Sequence, residues 1–228
     1  MSCYDEDYGE PELKGVDASL RVDIGGITTG TTGPSGGLLI NNVYRGDQPY
    51  QRIGDHIELK SLYVRLTPIC RYAPAADGGG MLANIMRAVV VFDRYPNAPE
   101  DNLLPEYYEV FFRTFTNGTG NSGPCAGLAY GTERRFEILG EKTFISSPKM
   151  YYPPGDLSRA SEEAFDWEEE YCLDGLSTDF TDVNTSTTIE DIQNGAIYLY
   201  VKALVNTSGL SQWYLPPTSW ARLRYTDA

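Results

Sequence analysis

The sequence predicts an all-β chain, a single eight-stranded jelly-roll sandwich with long loops. Three observations carry this expectation. Apolar residues alternate with polar ones, or run on continuously, over strand-length stretches, and helical periodicity is nearly absent. The 23 Gly, 14 Pro and 17 Tyr among 228 residues supply many turns and many strand-forming aromatics. The connections between apolar runs are long and irregular and no fixed period recurs, which suits a jelly roll better than an up-and-down barrel or a propeller.

Residues 1–15 (MSCYDEDYGEPELKG) read as an acidic N-terminal tail, and residues 16–228 as one folded domain. The tail has no apolar h-region, so no secretory signal is expected. Residues 18–27 suggest a first, peripheral strand, 28–37 a Gly/Thr loop and 38–42 a short apolar piece. The most informative stretch is 51–71, QRIGDHIELKSLYVRLTPICR. In it Ile57, Leu59, Ser61, Tyr63 and Arg65 alternate with Glu58, Lys60, Leu62, Val64 and Leu66. The first half reads as half-buried, the second as apolar on both faces, as inside a sandwich. That phase sets Lys60 on the face opposite Arg65 and Arg71.

Further strands are expected at 84–93, at 133–146 with a bend or bulge around Gly140, at 164–173, at 195–205 and at 220–225. Residues 104–115, with Tyr107, Tyr108, Phe111 and Phe112 on one side, are the one plausible helix; a strand within a loop is the alternative. Val89, Val91, Ile138, Ile197, Leu199 and Leu223 are expected in the core. Asp77-Gly78, Asn117-Gly118, Asp174-Gly175 and Asn194-Gly195 mark turns.

The chemistry-bearing residue types are sparse. His56 is the one histidine, which excludes most histidine triads and histidine-rich metal sites. Cys3, Cys70, Cys125 and Cys172 form no Cys-x-x-Cys pair, and no phosphate-cradling Gly-Lys-Ser/Thr run is present. No catalytic residues, metal or cofactor are therefore expected, and the chain does not read as an enzyme. The acidic stretch Glu162, Glu163, Asp166, Glu168, Glu169 and Glu170 reads as a solvated rim, with a calcium site or a glycosidase carboxylate pair as alternatives. No apolar run approaches the roughly 20 residues of a membrane helix, so no membrane partner is expected. A net charge of −14 argues against nonspecific nucleic-acid binding.

Two residue sets remain as candidate surfaces. Tyr107, Tyr108, Tyr151, Tyr152, Trp213 and Tyr214 lie beside prolines in expected loops, where aromatics make subunit contacts or stack on sugar rings. Arg65, Arg71, Arg222 and Arg224 could meet nucleic-acid phosphate. Ion pairing with the surplus carboxylates is the competing reading.

Several segments carry a family resemblance. Residues 50–57 (YQRIGDHI) resemble the "Q-R-x-G-x-x-I" entry to the first core strand in capsid proteins of small circular Rep-encoding single-stranded DNA viruses, the circovirus-like CRESS-DNA group. Residues 87–97 (RAVVVFDRYPN) are similar to that family's "R-x-x-x-x-x-D-x-x-P-N" strand and turn, and 135–142 (RFEILGEK) to its "R-F-x-x-L-x-x-K" segment. Residues 195–200 with 222–227 (RLRYTD) resemble its last two strands. The resemblance implies a coat protein that assembles with itself, in about 60 copies, into an icosahedral T=1 shell around single-stranded DNA. It further implies residence in the virion and a host receptor that the sequence does not identify. The chain departs from the family at its start, where Asp5, Glu6, Asp7, Glu10 and Glu12 stand instead of an Arg/Lys-rich arm. Weak or absent DNA binding is the expected consequence. The rival readings are a carbohydrate-binding jelly-roll module and a carboxylate glycosidase.

Overall fold

A computed structural model describes residues 12–27, 37–72, 84–96, 134–146, 161–181, 191–203 and 211–227. The runs rich in Val, Ile, Leu and Tyr form antiparallel strands, as their residue types favour. Among the described residues there are fourteen: β1 (Leu13–Ser19), β2 (Val22–Ile27), β3 (Gly37–Leu39), β4 (His56–Leu66), β5 (Ile69–Tyr72), β6 (Asn84–Asp93), β7 (Phe136–Ser146), β8 (Ser161–Ala164), β9 (Trp167–Cys172), β10 (Ser177–Phe180), β11 (Ile192–Asn194), β12 (Ala196–Ala203), β13 (Ser211–Leu215) and β14 (Trp220–Asp227). The all-β class is as the sequence predicts. The proposed helix at 104–115 lies outside the described residues. No helix among those described is long and apolar enough to cross a membrane.

The strands form three sheets. The first has the order β1-β14-β4-β10-β11, with β9 also paired to β4; the second is β2-β13-β5-β8; the third is β3-β12-β6-β7. The first two are one curtain turned at a corner. β1 leads into β2, β4 into β5, β8 into β9 and β13 into β14, and the neighbours keep the same order on both sides. All four paths break at one level, at Leu20–Arg21, Thr67–Pro68, Phe165–Asp166 and 216–219. Pro68, Pro216 and Pro217 have no N–H to give to a ladder. Ser219 ties the corner instead: its carbonyl accepts from Leu20 N at 3.1 Å and its hydroxyl oxygen accepts from Thr67 N at 3.0 Å.

The core joins residues of all three sheets. In β4 the buried apolar side chains are Ile57 and Leu59, then Leu62, Val64 and Leu66, with the small Ser61 buried between the two sets. The phase changes because a bulge lies between them: Arg224 of β14 pairs with Ser61 and Tyr225 pairs with Leu59, so Lys60 is the extra residue. The second half of β4 is therefore not apolar on both faces. It keeps one buried face, and Lys60 shares the outward face with Tyr63 and Arg65.

Three further expectations change. Residues 13–15, assigned to the tail, belong to β1. Lys14 looks like a tail residue, yet it is buried because its ammonium donates to Asp227 Oδ2 at 2.5 Å and to Gln51 O at 3.0 Å. Ile138 is 36% exposed: the β6–β7 ladder shifts where Val90 pairs with Gly140 and Val91 with Ile138, which leaves Leu139 as an extra residue on the edge strand β7. The other five expected core residues are buried. Trp213 and Tyr214 lie in β13, not in a loop, and Trp213 is packed against Phe165 with ring centroids 5.5 Å apart.

The third sheet differs from the first in having a strand, β12, buried along its whole length on both faces. Buried polar groups fasten β12 to the first sheet. The Asn41 amide donates to Thr178 Oγ1 and Gly195 O and accepts from Ile197 N, all within 2.9 Å. Gly195, with φ of 74°, approaches Ser177 O so closely that an added Cβ would lie 2.0 Å from it.

Candidate nucleic-acid and subunit surfaces

The outward face of the first sheet gathers three of the four arginines singled out by sequence. Cross-strand register fixes its rows. Ser19, Trp220, Arg65 and Glu168 form one; Asp17, Arg222, Tyr63 and Glu170 the next; Gly15, Arg224, Ser61 and Cys172 the third. Arg71 lies past the corner on β5, opposite Glu162 of β8.

Arg65, Arg71 and Arg222 are ion-paired. Arg222 Nε and Nη2 donate to the two carboxylate oxygens of Asp17 at 2.7 and 2.8 Å. Arg65 lies 3.1 Å from Glu168 Oε1 and 3.4 Å from Asp166 Oδ2, and Arg71 lies 3.6 Å from Glu162 Oε1. The hydrogen bond from Arg222 holds the Asp17 carboxyl below its ordinary range, and the same bond raises the Arg222 guanidinium. Each arginine in these pairs is 39 to 47% exposed, so solvent screens the pairs and each adds little to stability.

Between the charges lies an aromatic pair. The Tyr63 and Trp220 rings are 5.1 Å apart, tilted by 39°, and the Arg222 guanidinium carbon is 5.5 Å from the Trp220 ring centre. Partial burial and then a hydrogen bond with Glu168 raise the Tyr63 phenol above its ordinary value. An open groove of about 680 Å³ adjoins this pair, lined by Leu13, Lys14, Gly15, Asp17, Arg222 and Arg224.

The acidic stretch is not a bare rim. Glu162, Asp166 and Glu168 face arginines, Glu163 accepts from Ser146 Oγ at 2.5 Å, and Glu169 accepts from the Trp167 indole at 2.9 Å. No group of three His, Cys, Asp or Glu side chains suited to hold a metal occurs among the described residues. His56 Nδ1 lies 2.5 Å from Asp179 Oδ1. Burial pushes the Asp179 carboxyl up, but hydrogen bonds from His56 and Asn194 outweigh it and leave the group below its ordinary range.

Of the aromatic contact residues expected from the sequence, Tyr107, Tyr108, Tyr151 and Tyr152 lie outside the described residues. Trp213 is only 1% exposed and so is unavailable to a partner; the neighbouring prolines that suggested a loop mark the corner between two strands. Tyr214 is half-buried beside Glu162. The described apolar side chains that do reach solvent include Leu13, Tyr44, Tyr50 and Ile53. Sequence reasoning missed these, and it missed Asp17, whose partner is 205 residues away.

The segments that carry the family resemblance meet in space through their charged residues. Arg52 is buried, donates to Val43 O, to Gly54 O and to Asp55 Oδ1, and covers the Phe180 ring at 4.1 Å. Asp227, from the last segment, accepts from Ile53 N of the first at 3.2 Å. Asp93, wholly buried in the second segment, receives Arg135 of the third on both oxygens, at 2.9 and 3.1 Å. A scan against protein-family models and a search of curated proteins each give no match to this chain.

Proposed function

We propose that this chain is a viral coat protein: a single jelly-roll domain that assembles with itself into a small icosahedral shell, of T=1 size with about 60 copies, around single-stranded DNA. The observation that carries the reading is the meeting of the resembling segments. Short motifs matched by chance have no reason to place a charged side chain of one segment in a hydrogen bond with another segment. Here Asp227 closes on Ile53 and Asp93 on Arg135. The strand layout supports the jelly-roll part. Four bent strand paths stand on one side of a shared core and the four strands β3, β12, β6 and β7 on the other, with β10 and β11 added at an edge. Exposed Leu13, Tyr44, Tyr50 and Ile53 suit contacts between copies.

Size-exclusion chromatography with negative-stain microscopy tests the proposal. Closed particles are expected, and nuclease digestion of their contents should identify DNA. A monodisperse 25.3 kDa species that forms no particle under any salt or pH tried would end it. One observation favours a second reading, a carbohydrate-binding module: the half-exposed Tyr63–Trp220 pair flanked by hydrogen-bonding charges has the make-up of a sugar-stacking platform. Glycan-array binding by a stable monomer, lost on Trp220→Ala, would select it.

A further inference from the structure

We infer that Asp17 occupies the place of a nucleic-acid phosphate on Arg222, so that the edge strand β1 masks a phosphodiester site in the groove it shares with β14. The inference rests on the coat-protein reading, in which the arginine-bearing outward face of the first sheet is the one that meets single-stranded DNA. The fork that Arg222 presents to Asp17, with two nearly parallel bonds of 2.7 and 2.8 Å, is the one guanidinium groups present to phosphate oxygens. The pair is open to solvent, with Arg222 47% and Asp17 55% exposed, so a competing anion reaches it without disturbing the core. Asp17 sits on β1, the outermost strand of its sheet, and itself lines the groove.

What surrounds the fork suits a nucleotide rather than a lone anion. Arg224 lines the same groove, and the Trp220 and Tyr63 rings lie next to Arg222, where a base can stack while its phosphate takes the guanidinium. For a phosphate to bind, Asp17 must turn away, and until it does its charge repels the strand. The site is therefore closed by a carboxylate of the same chain, and a phosphate backbone opens it by exchange. The chain's acidity and its arginine-bearing face then belong to one device: DNA is held only where many phosphates compete at once.

The test is fluorescence anisotropy of a labelled oligo(dT) against the full chain and four variants, from low to moderate salt, with particle formation followed by microscopy on the same samples. Asp17→Asn should tighten binding about tenfold at low salt and steepen the salt dependence by nearly one released counterion, the signature of one added phosphate contact. Asp17→Asn with Arg222→Gln should return to the parent's affinity or below. Asp47→Asn, an exposed carboxylate elsewhere, removes the same charge and should give little gain. An Asp17→Asn variant with parental affinity, or a gain that Asp47→Asn matches, overturns the inference. Arg222→Gln alone separates the two levels. If it weakens the parent's binding while Asp17→Asn does nothing, the face meets DNA and the masking is wrong; if neither matters, the face is not a DNA surface and both fall. Loss of particles in the parent would instead reject the coat-protein reading.

Discussion

On β14 of the first sheet the outward side chains Trp220, Arg222 and Arg224 stay at least partly in solvent, two of them beside charges or rings of neighbouring strands. On β12 of the third sheet both faces are closed, and Lys202 is buried along with Tyr198 and Tyr200. Each strand is eight residues long and each has antiparallel neighbours on both sides. The difference lies in what covers the second face. It separates two tasks: β14 offers a surface whose side chains are replaceable without loss of fold, while every side chain of β12 is structural.

The largest expected effect breaks this contrast if it is wrong. Ile197→Asp and Tyr200→Asp point to opposite faces of β12, and each buries a charge without a designed partner, at a cost of several kcal/mol. Urea denaturation should show both variants unfolded or nearly so. A Tyr200→Asp chain as stable as the parent would reopen the second face of β12. Next comes Asp93→Ala, which strips a partly buried Arg135 of its partner and should cost about 3–5 kcal/mol. Lowered urea midpoint with unchanged slope is the expected readout. In β4 the bulge predicts a sharp neighbour-by-neighbour split. Leu62→Ala should lose about 2–5 kcal/mol, as buried leucines do. Arg65→Ala, three positions on and facing outward, should lose less than about 1 kcal/mol. Comparable losses would mean that the second half of β4 has two buried faces after all.

The last expected effect is a pH slope. Burial pushes the Lys202 ammonium down to about 8 from 10.5. Between those values the unfolded chain holds a proton that the folded chain has released, so this group makes stability rise with pH, by up to about 1.4 kcal/mol per unit. Below pH 8 both states are protonated and the contribution is flat. Lys202→Met should therefore lose stability relative to the parent as pH rises from 8 to 9.5, because only the parent gains, and it should be the more stable of the two at pH 7. Parallel curves for parent and variant would reject the buried-ammonium account.

Much of this was legible in the sequence. The apolar run at 84–93 coincides with β6, and the Asp174-Gly175 and Asn194-Gly195 turns supply the glycines with φ of 86° and 74°. The corner was not. Pro216 and Pro217 look like a loop signal, and only the pairing of β13 with β2 and β5, and of β14 with β1 and β4, shows that they crease a sheet. The bulge at Lys60 was hidden for a different reason: one inserted residue leaves the polar-apolar alternation intact on each side, and phase becomes visible only against a partner strand. At the candidate surface, sequence picked out the arginines by type, but their carboxylate partners follow from register. Asp17 meets Arg222 through pairing of the first described strand with the last, which no local pattern encodes.

That pairing has a consequence for the order of events when the chain is made. β14 lies in the interior of its sheet, between β1 and β4, yet it is the last of these three to leave the ribosome. Until then β1 has no neighbour on that side and β4 shows an open ladder. High sequence separation of this kind slows folding, and unpaired strand edges invite association with other chains. That strand position stays vacant until residues 220–227 arrive, and the pairing of this one strand with both β1 and β4 fills it.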